Sequence, residues 1–86
     1  MAIYYKYDNP HQGVRYFKVK ETYGDVLQII TESVPKKGRP YMKGITFIKY
    51  STWIGSWGWK LKESKNIVEI KRKEFQTVLK EMLKQF

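Results

Sequence analysis

Few residues of this chain have a type and spacing that could do chemistry. The one histidine, His11, follows Pro10 in a predicted turn, and no second histidine or paired carboxylate supports it as a metal ligand or general base. The chain has no cysteine, its serines lack a base, and neither glycine-rich phosphate-loop pattern, GxGxxG or GxxxxGK followed by Ser or Thr, occurs. We therefore predict that the protein is not an enzyme and needs no metal or cofactor.

The stretch that points to a function is residues 33–62. It holds no Asp or Glu, but seven of the seventeen cations and all three tryptophans. Interleaved cations and aromatic rings are typical of a groove for single-stranded nucleic acid, where cations hold phosphates and rings stack on bases. Solvated faces usually mix both signs of charge, as residues 72–86 do. Together with the net charge of +9, the stretch predicts a polyanionic partner.

The elements that must position these residues follow from the hydrophobic period. Period-two alternation between turn signals predicts an antiparallel sheet of five to six strands. The predicted strands cover residues 2–7, 14–22, 26–32, 42–50, 57–62 and 66–71. From Arg72 the period changes to that of an amphipathic helix, so we predict a single domain of the α+β class, over residues 1–86, that ends in one helix.

The apolar stripe of that helix is long for a chain of 86 residues. It consists of Phe75, Val78, Leu79, Met82, Leu83 and Phe86. One helix covers only part of a sheet face, so the stripe can pack on its own sheet, or partly on the sheet and partly on a second copy. We predict a homodimer through the helices.

The three tryptophans have different expected environments. Trp57 and Trp59 share a face with Leu61 in the predicted strand 57–62, so they are either core residues or a stacking platform. Trp53 stands beside the glycine-rich turn predicted at residues 55–58, and we expect its ring to be exposed.

Residues 15–32, RYFKVKETYGDVLQIITE, resemble the central hairpin of the positive cofactor four family of transcriptional coactivators and single-stranded-DNA-binding proteins. Residues 42–46, MKGIT, are similar to the basic-Lys-Gly-Ile-Ser strand of that family. Residues 68–79 are similar to its last strand where it enters the terminal helix. The resemblance covers most of residues 14–46 and 67–86.

The resemblance implies a curved antiparallel sheet with a C-terminal helix, dimerised through the helices and gripping single-stranded DNA. It places Lys20, Arg39 and Lys43 where the family has DNA-contacting cations. The chain departs from the family at Asp25, where a lysine is usual, and at Val34, where a tryptophan is usual.

Two further departures concern the aromatic residues. The hairpin-tip aromatic is displaced by one position, to Tyr23, and residues 47–66 have no counterpart and are predicted to form an inserted hairpin. We interpret Trp53, Trp57 and the nearby lysines as replacing the lost stacking and charge.

The predicted function is largely sequence-independent binding of single-stranded DNA, in replication, recombination or transcription, through a basic and aromatic sheet face. The predicted contacts are Arg15, Tyr16, Lys18, Lys20, Tyr23, Lys36, Lys37, Arg39, Tyr41, Lys43, Lys49, Trp53, Lys60 and Lys62. The alternatives are a module for RNA or duplex, a transcription accessory protein that recruits a protein partner through its helix, and a small nuclease.

No apolar run approaches the roughly 18 residues of a membrane span, and the N-terminal sequence MAIYYKYD does not have the pattern of a signal peptide. We therefore expect an intracellular protein. It would act in the cytoplasm or nucleoid, or in the host cytoplasm if it is viral.

Overall fold

The computed structural model describes residues 2–20, 24–33 and 43–84. These residues form five strands and two helices. In chain order they are β1 (Ala2–Asn9), β2 (Gly13–Lys20), β3 (Asp25–Ser33), β4 (Gly44–Lys49), α1 (Tyr50–Glu63), β5 (Ile67–Ile70) and α2 (Arg72–Leu83). The predicted α+β class with an antiparallel sheet is confirmed, and α2 follows the last strand, but the chain has two helices where one was predicted.

All strand pairs are antiparallel, and the sheet order is β4-β3-β2-β1-β5. Strands β1 to β4 follow one another as in a meander, and β5 returns beside β1 on the opposite edge. The first hairpin is paired along its whole length, from Ala2 opposite Lys20 to Asn9 opposite Gly13. Strands β4 and β5 therefore form the two edges of the sheet.

Alternation along the strands divides the sheet into two faces. Phe17 and Val19 of β2 belong to one buried cluster, whereas Tyr16 belongs to a second cluster on the other side. We call the side with Phe17 the α1 face and the side with Tyr16 the α2 face, after the helix that packs on each. Phe17 and Val19, two positions apart on β2, are both buried on the α1 face.

Two tryptophans of α1 fill the core of the α1 face. Trp57 contacts Phe17 and Tyr7, with ring centroids 4.9 Å and 4.8 Å apart. Trp53 lies against Phe17 at 5.8 Å and against Tyr5 at 6.1 Å. Burying large aromatic rings contributes much of the stability of so small a core.

The hairpin predicted over residues 47–66 is wrong, because residues 50–63 form α1. Tyr50, Trp53, Trp57 and Leu61 recur at i, i+3, i+7 and i+11 and lie against the α1-face core, as a helical stripe should. The alternation of Trp57 with Leu61, together with Gly55, suggested a turn and a strand instead. The stripe is the pattern that the packing uses.

Helix α2 packs on the opposite face of the same sheet. Phe75 meets the Tyr4 ring at 5.1 Å, and Met82 joins Tyr16 and Ile29 in the buried cluster. The basic and aromatic sheet face that was predicted to bind DNA therefore carries a helix of its own chain. Within the described residues, no helix is both long and apolar enough to cross a membrane.

Candidate nucleic-acid interface

Both helices begin at one end of the sheet. Strand β4 ends at Lys49 and leads directly into α1, whereas β5 ends at Ile70 and leads into α2. The pairings of Lys49 with Asp25, of Ile70 with Tyr4 and of Lys20 with Ala2 place these strand ends on the same side of the molecule. We call this side the helix-start end.

An open cleft of about 850 Å³ lies at the helix-start end. Four cations line it: Lys18, Lys20, Lys71 and Arg72. Two carboxylates, Asp25 and Glu69, are also in its lining, so the side chains give it a net charge of +2. The cations come from the end of β2 and from the start of α2, which are more than fifty residues apart in sequence. Folding therefore brings them together.

The cations of the cleft are held in different ways. Lys18 is half-buried, with its Nζ 6.0 Å from the centroid of the buried Tyr4 ring. Lys20, Lys71 and Arg72 are exposed. With the Gln76 amide oriented to satisfy both groups, the Arg72 Nε and Nη2 donate to its oxygen at 3.0 Å and 3.3 Å, so a ligand would have to replace Gln76 there. The cleft thus combines one half-buried cation with three exposed ones.

Each helix also has a lysine at its N-cap. Lys49 precedes α1 and Lys71 precedes α2, and neither makes a side-chain capping hydrogen bond. A helix N-terminus carries a partial positive charge, so a lysine there is unfavourable by about 0.3–1 kcal/mol. Helix α1 has no acidic residue in its first turn to offset this, and α2 has only Glu74. The helix-start end is therefore more positive than its side chains alone would make it.

Two predicted DNA-contacting cations lie away from this cleft, on the α1 face. Arg15 and Lys60 both stand over Trp57, at 5.6 Å and 4.1 Å from the ring centroid. The Arg15 guanidinium also donates to the Oε1 of the buried Gln28 at 3.4 Å, and burial lowers its pKa below the usual value. The structure separates these two residues from Lys18 and Lys20.

Two of the rings predicted to stack on bases are buried. Trp53, which we expected to be exposed, is only 1% exposed, because α1 turns it into the α1-face core. Tyr16 is 9% exposed because it lies in the α2-face cluster with Phe75 and Met82. Trp57 is a core residue, which decides between the two environments left open for it. Trp53 cannot stack on a base unless α1 leaves the sheet, and Tyr16 cannot do so unless α2 does.

The predicted dimer interface is also partly occupied within the monomer. Phe75 and Met82 are 1% and 2% exposed because they pack on their own sheet. Val78 and Leu79 are partly covered by the same cluster, and Leu83 is exposed. Only the outer part of the stripe is open to a partner.

Other predicted contacts lie on the surface or outside the described residues. Lys43 and Lys49 are exposed and flank the two ends of β4. The predicted contacts Tyr23, Lys36, Lys37, Arg39 and Tyr41 lie outside the described residues, as does Phe86 of the predicted dimer interface. The side chains of Trp59 and Lys62 are likewise not described.

The sequence prediction missed Lys71, Arg72 and Phe47. The first two belong to the run Lys-Arg-Lys at residues 71–73, between the last strand and the last helix, and this run was a usable signal. Phe47 stands in a predicted strand, and the sequence does not show which face of the strand is open.

Comparisons with known proteins give no match to a family model, a curated protein or a solved structure. The resemblance to the positive cofactor four family therefore stays a prediction. Among the described residues, no three His, Cys, Asp or Glu side chains come together as a metal site would require.

Proposed function

We propose that this protein binds single-stranded DNA without strong sequence preference, as a non-catalytic factor in replication, recombination or transcription. The observation that supports the proposal is the cleft at the helix-start end, where four cations from two distant segments converge beside the N-termini of both helices. A concentration of positive charge of this kind attracts a polyanion and speeds its association.

The cleft suits phosphate groups better than base edges. The Arg72 guanidinium is planar and offers paired donors that match two phosphate oxygens, whereas the lysines act as mobile point charges. Contacts to phosphates fix the position of a nucleic acid but carry no sequence information. Asp25 and Glu69, which also line the cleft, would repel the backbone and so help to define its path.

The number of cations sets the expected salt dependence. Four phosphate contacts on a single strand correspond to a slope of about −3 in a plot of log affinity against log salt. A fourfold increase in salt would then weaken binding by about 50-fold. A slope near zero would contradict the proposed phosphate contacts.

The proposal is tested by titrating labelled single-stranded DNA, duplex and RNA of equal length at two salt concentrations. The double variant Lys20→Gln and Arg72→Gln removes two exposed cations of the cleft, and we expect it to weaken binding at least about tenfold and to flatten the salt slope. The matched control is Lys65→Gln with Lys80→Gln, which removes the same charge from exposed positions that do not line the cleft.

Equal losses in the two double variants would mean that net charge, not the cleft, drives binding. Tighter binding of RNA or duplex than of single-stranded DNA would favour the alternative of an RNA or duplex module. Cleavage of the labelled strand during the titration would favour a nuclease.

We also propose that the protein acts as a homodimer through the outer part of the α2 stripe. The support is the exposure of Leu83 beside the half-covered Val78 and Leu79. Light scattering of the wild type and of Leu83→Glu tests this, since a charge at the interface should give a monomer. A wild-type monomer would leave α2 open to a different protein partner instead.

A further inference from the structure

Among the aromatic side chains that the structure describes, which exclude that of Trp59, Phe47 alone is mostly exposed, at 71%. It lies in the middle of the edge strand β4, on the α2 face. An exposed phenylalanine on an edge strand favours unwanted association, and edge strands usually carry charged residues or proline instead. The position therefore calls for a functional explanation.

The sheet register places Phe47 on the same face as the cations of the cleft. Phe47 is opposite Leu27, and Leu27 is opposite Lys18, so the three form one row across β4, β3 and β2. Two strand spacings separate Phe47 from Lys18 by about 10 Å, and Lys49 lies about 7 Å further along β4 on the same face. Lys49 would reach a phosphate beside a base that rests on Phe47, whereas the Lys18 Nζ lies over Tyr4 of β1, farther along the path toward the cleft.

We infer that Phe47 is the base-stacking residue of this site, and that it gives the protein a preference for single-stranded nucleic acid over duplex. The inference rests on the proposed function. A base in a duplex has no free face, so an exposed ring adds affinity only for unpaired bases, whereas the cations attract both forms. Phe47 thus supplies the strand selectivity that charge cannot supply.

The charge around β4 favours a nucleobase over a second copy of the chain as the occupant. Lys43 and Lys49 flank the strand, and no acidic residue lies between them. Edge-to-edge pairing of two β4 strands would bring four lysines together in molecules that each carry a net charge of +9. A nucleic acid strand neutralises those charges instead of repelling them.

The register also gives the path and the length of the bound segment. A nucleic-acid strand that runs from Phe47 on β4 to the start of α2 beside β5 crosses four strand spacings, or about 19 Å. Such a distance fits a binding site at the short end of the range of about 4 to 16 nucleotides seen for single-strand-binding folds.

The test compares Phe47→Ala, Phe47→Leu and Phe47→Trp with the wild type on single-stranded and duplex DNA. Phe47→Ala and Phe47→Leu should weaken single-strand binding by about 5- to 100-fold, as expected for the loss of one stacked base. Phe47→Trp should bind single strands about as tightly as the wild type does. None of the three variants should change duplex binding or the salt slope. The matched control is Val68→Ala on the other edge strand, where the side chain is 51% exposed, and it should bind as the wild type does.

The outcomes separate this inference from the proposed function. If the wild type binds in a salt-dependent way but Phe47→Ala and Phe47→Leu keep full single-strand affinity, the stacking role of Phe47 is wrong and the cleft is not. If Phe47→Leu loses the same affinity for single strands as for duplex, Phe47 does not give a preference for single strands. If light scattering shows that Phe47→Ala changes the oligomeric state with unchanged affinity, the residue is an interface between copies. If the wild type binds no nucleic acid, both proposals fail.

Discussion

Trp53 has a buried indole N–H that finds no acceptor within the described part of the chain. An unsatisfied buried donor is unfavourable by about 1–3 kcal/mol. Trp53→Phe removes this donor while it keeps an aromatic ring against Phe17, so we expect a loss of unfolding free energy below about 2 kcal/mol. Trp53→Ala leaves a cavity and should lose about 3–5 kcal/mol. Urea unfolding measures both changes.

The matched comparison for this prediction is Trp57→Phe, because Trp57 is also a core residue of α1 but has Lys60 and Arg15 over its ring. We expect Trp57→Phe to lose more stability than Trp53→Phe, since indole is the better partner for a cation. A Trp53→Phe variant that loses as much stability as Trp57→Phe, or more, would show that removal of the buried N–H brings no gain.

At the scale of single residues, the sequence predicted charge better than exposure. Lys18 and Lys20 were predicted as contacts and do line the cleft, because the alternation of β2 gives their face directly. The Trp53 ring was expected to be exposed but is buried, because glycine usually marks a turn, whereas Gly55 and Gly58 lie inside α1. Local composition cannot distinguish the two.

The two glycines of α1 offer a test at the scale of the element. Glycine in a helix interior is less favourable than alanine by about 1 kcal/mol. A Cβ at Gly55 would meet no atom within 4 Å, whereas a Cβ at Gly58 would lie 2.9 Å from the Cδ1 and 3.0 Å from the Cγ1 of Ile54. We expect Gly55→Ala to raise the free energy of unfolding by about 0.5–1 kcal/mol.

Gly58→Ala should gain less than Gly55→Ala, because the Ile54 side chain must first move aside. Thermal unfolding followed by circular dichroism resolves the difference, since 1 kcal/mol shifts the midpoint by about 4–8 °C in a domain of this size. A loss of stability in Gly55→Ala would argue against a helix over residues 50–63.

The N-cap of α2 links the stability of an element to binding. Lys71→Asp supplies a capping oxygen and a favourable charge at the helix N-terminus, so we expect unfolding free energy to rise by about 1 kcal/mol. The same change reverses a charge of the cleft, and nucleic-acid binding should fall by roughly 10- to 100-fold. The measurements are urea unfolding and an oligonucleotide titration of the same variant.

Lys65→Asp is the control for this opposition, because it makes the same charge change at an exposed bend that is no helix N-cap and does not line the cleft. We expect Lys65→Asp to bring neither the gain in unfolding free energy nor the loss of nucleic-acid binding that is expected for Lys71→Asp. A Lys71→Asp variant that is more stable and binds as tightly as the wild type would remove Lys71 from the site.

Among the elements, the hydrophobic period of the sequence predicts secondary structure well where one face of the element is apolar and the other polar. Helix α2 and strand β2 meet this condition, and both form close to their predicted positions. Helix α1 does not, because its aromatic residues Tyr50, Trp53, Trp57 and Trp59 also have high strand propensity and two glycines interrupt the pattern. Packing of the stripe against the sheet decides in favour of the helix, and the local pattern does not show which of the two periods will be buried.

At the scale of the whole molecule, the fold class could be predicted but the site could not be assembled. A net charge of +9 predicted a polyanionic partner, yet the cleft depends on β5 returning beside β1 so that Lys71 and Arg72 reach Lys20. The sheet edge that β5 joins depends on contacts between residues far apart in sequence, which local patterns do not show. For the same reason the predicted single groove divides into the cleft on one side and the Arg15–Lys60 pair on the α1 face.

The net charge predicts opposite effects of salt on the free and the bound protein. In the free protein seventeen cations repel one another against eight acids, so screening by salt should raise the midpoint of thermal unfolding slightly. With single-stranded DNA at about 100 times its Kd, binding adds about 2.7 kcal/mol of stability, and the midpoint should rise by more than 10 °C. A fourfold increase in salt, which weakens binding about 50-fold, should remove most of that gain.

Thermal unfolding with and without oligonucleotide at the two salt concentrations tests these opposite effects of salt on the free and the bound protein. The double variant Lys20→Gln and Arg72→Gln should keep the small gain of the free protein in salt, because most of its net charge remains, but should lose about half or more of the gain from DNA. Stabilisation by DNA that does not change with salt would mean that apolar or base-specific contacts hold the strand. The binding energy would then have to be assigned to residues such as Phe47 and not to the cleft.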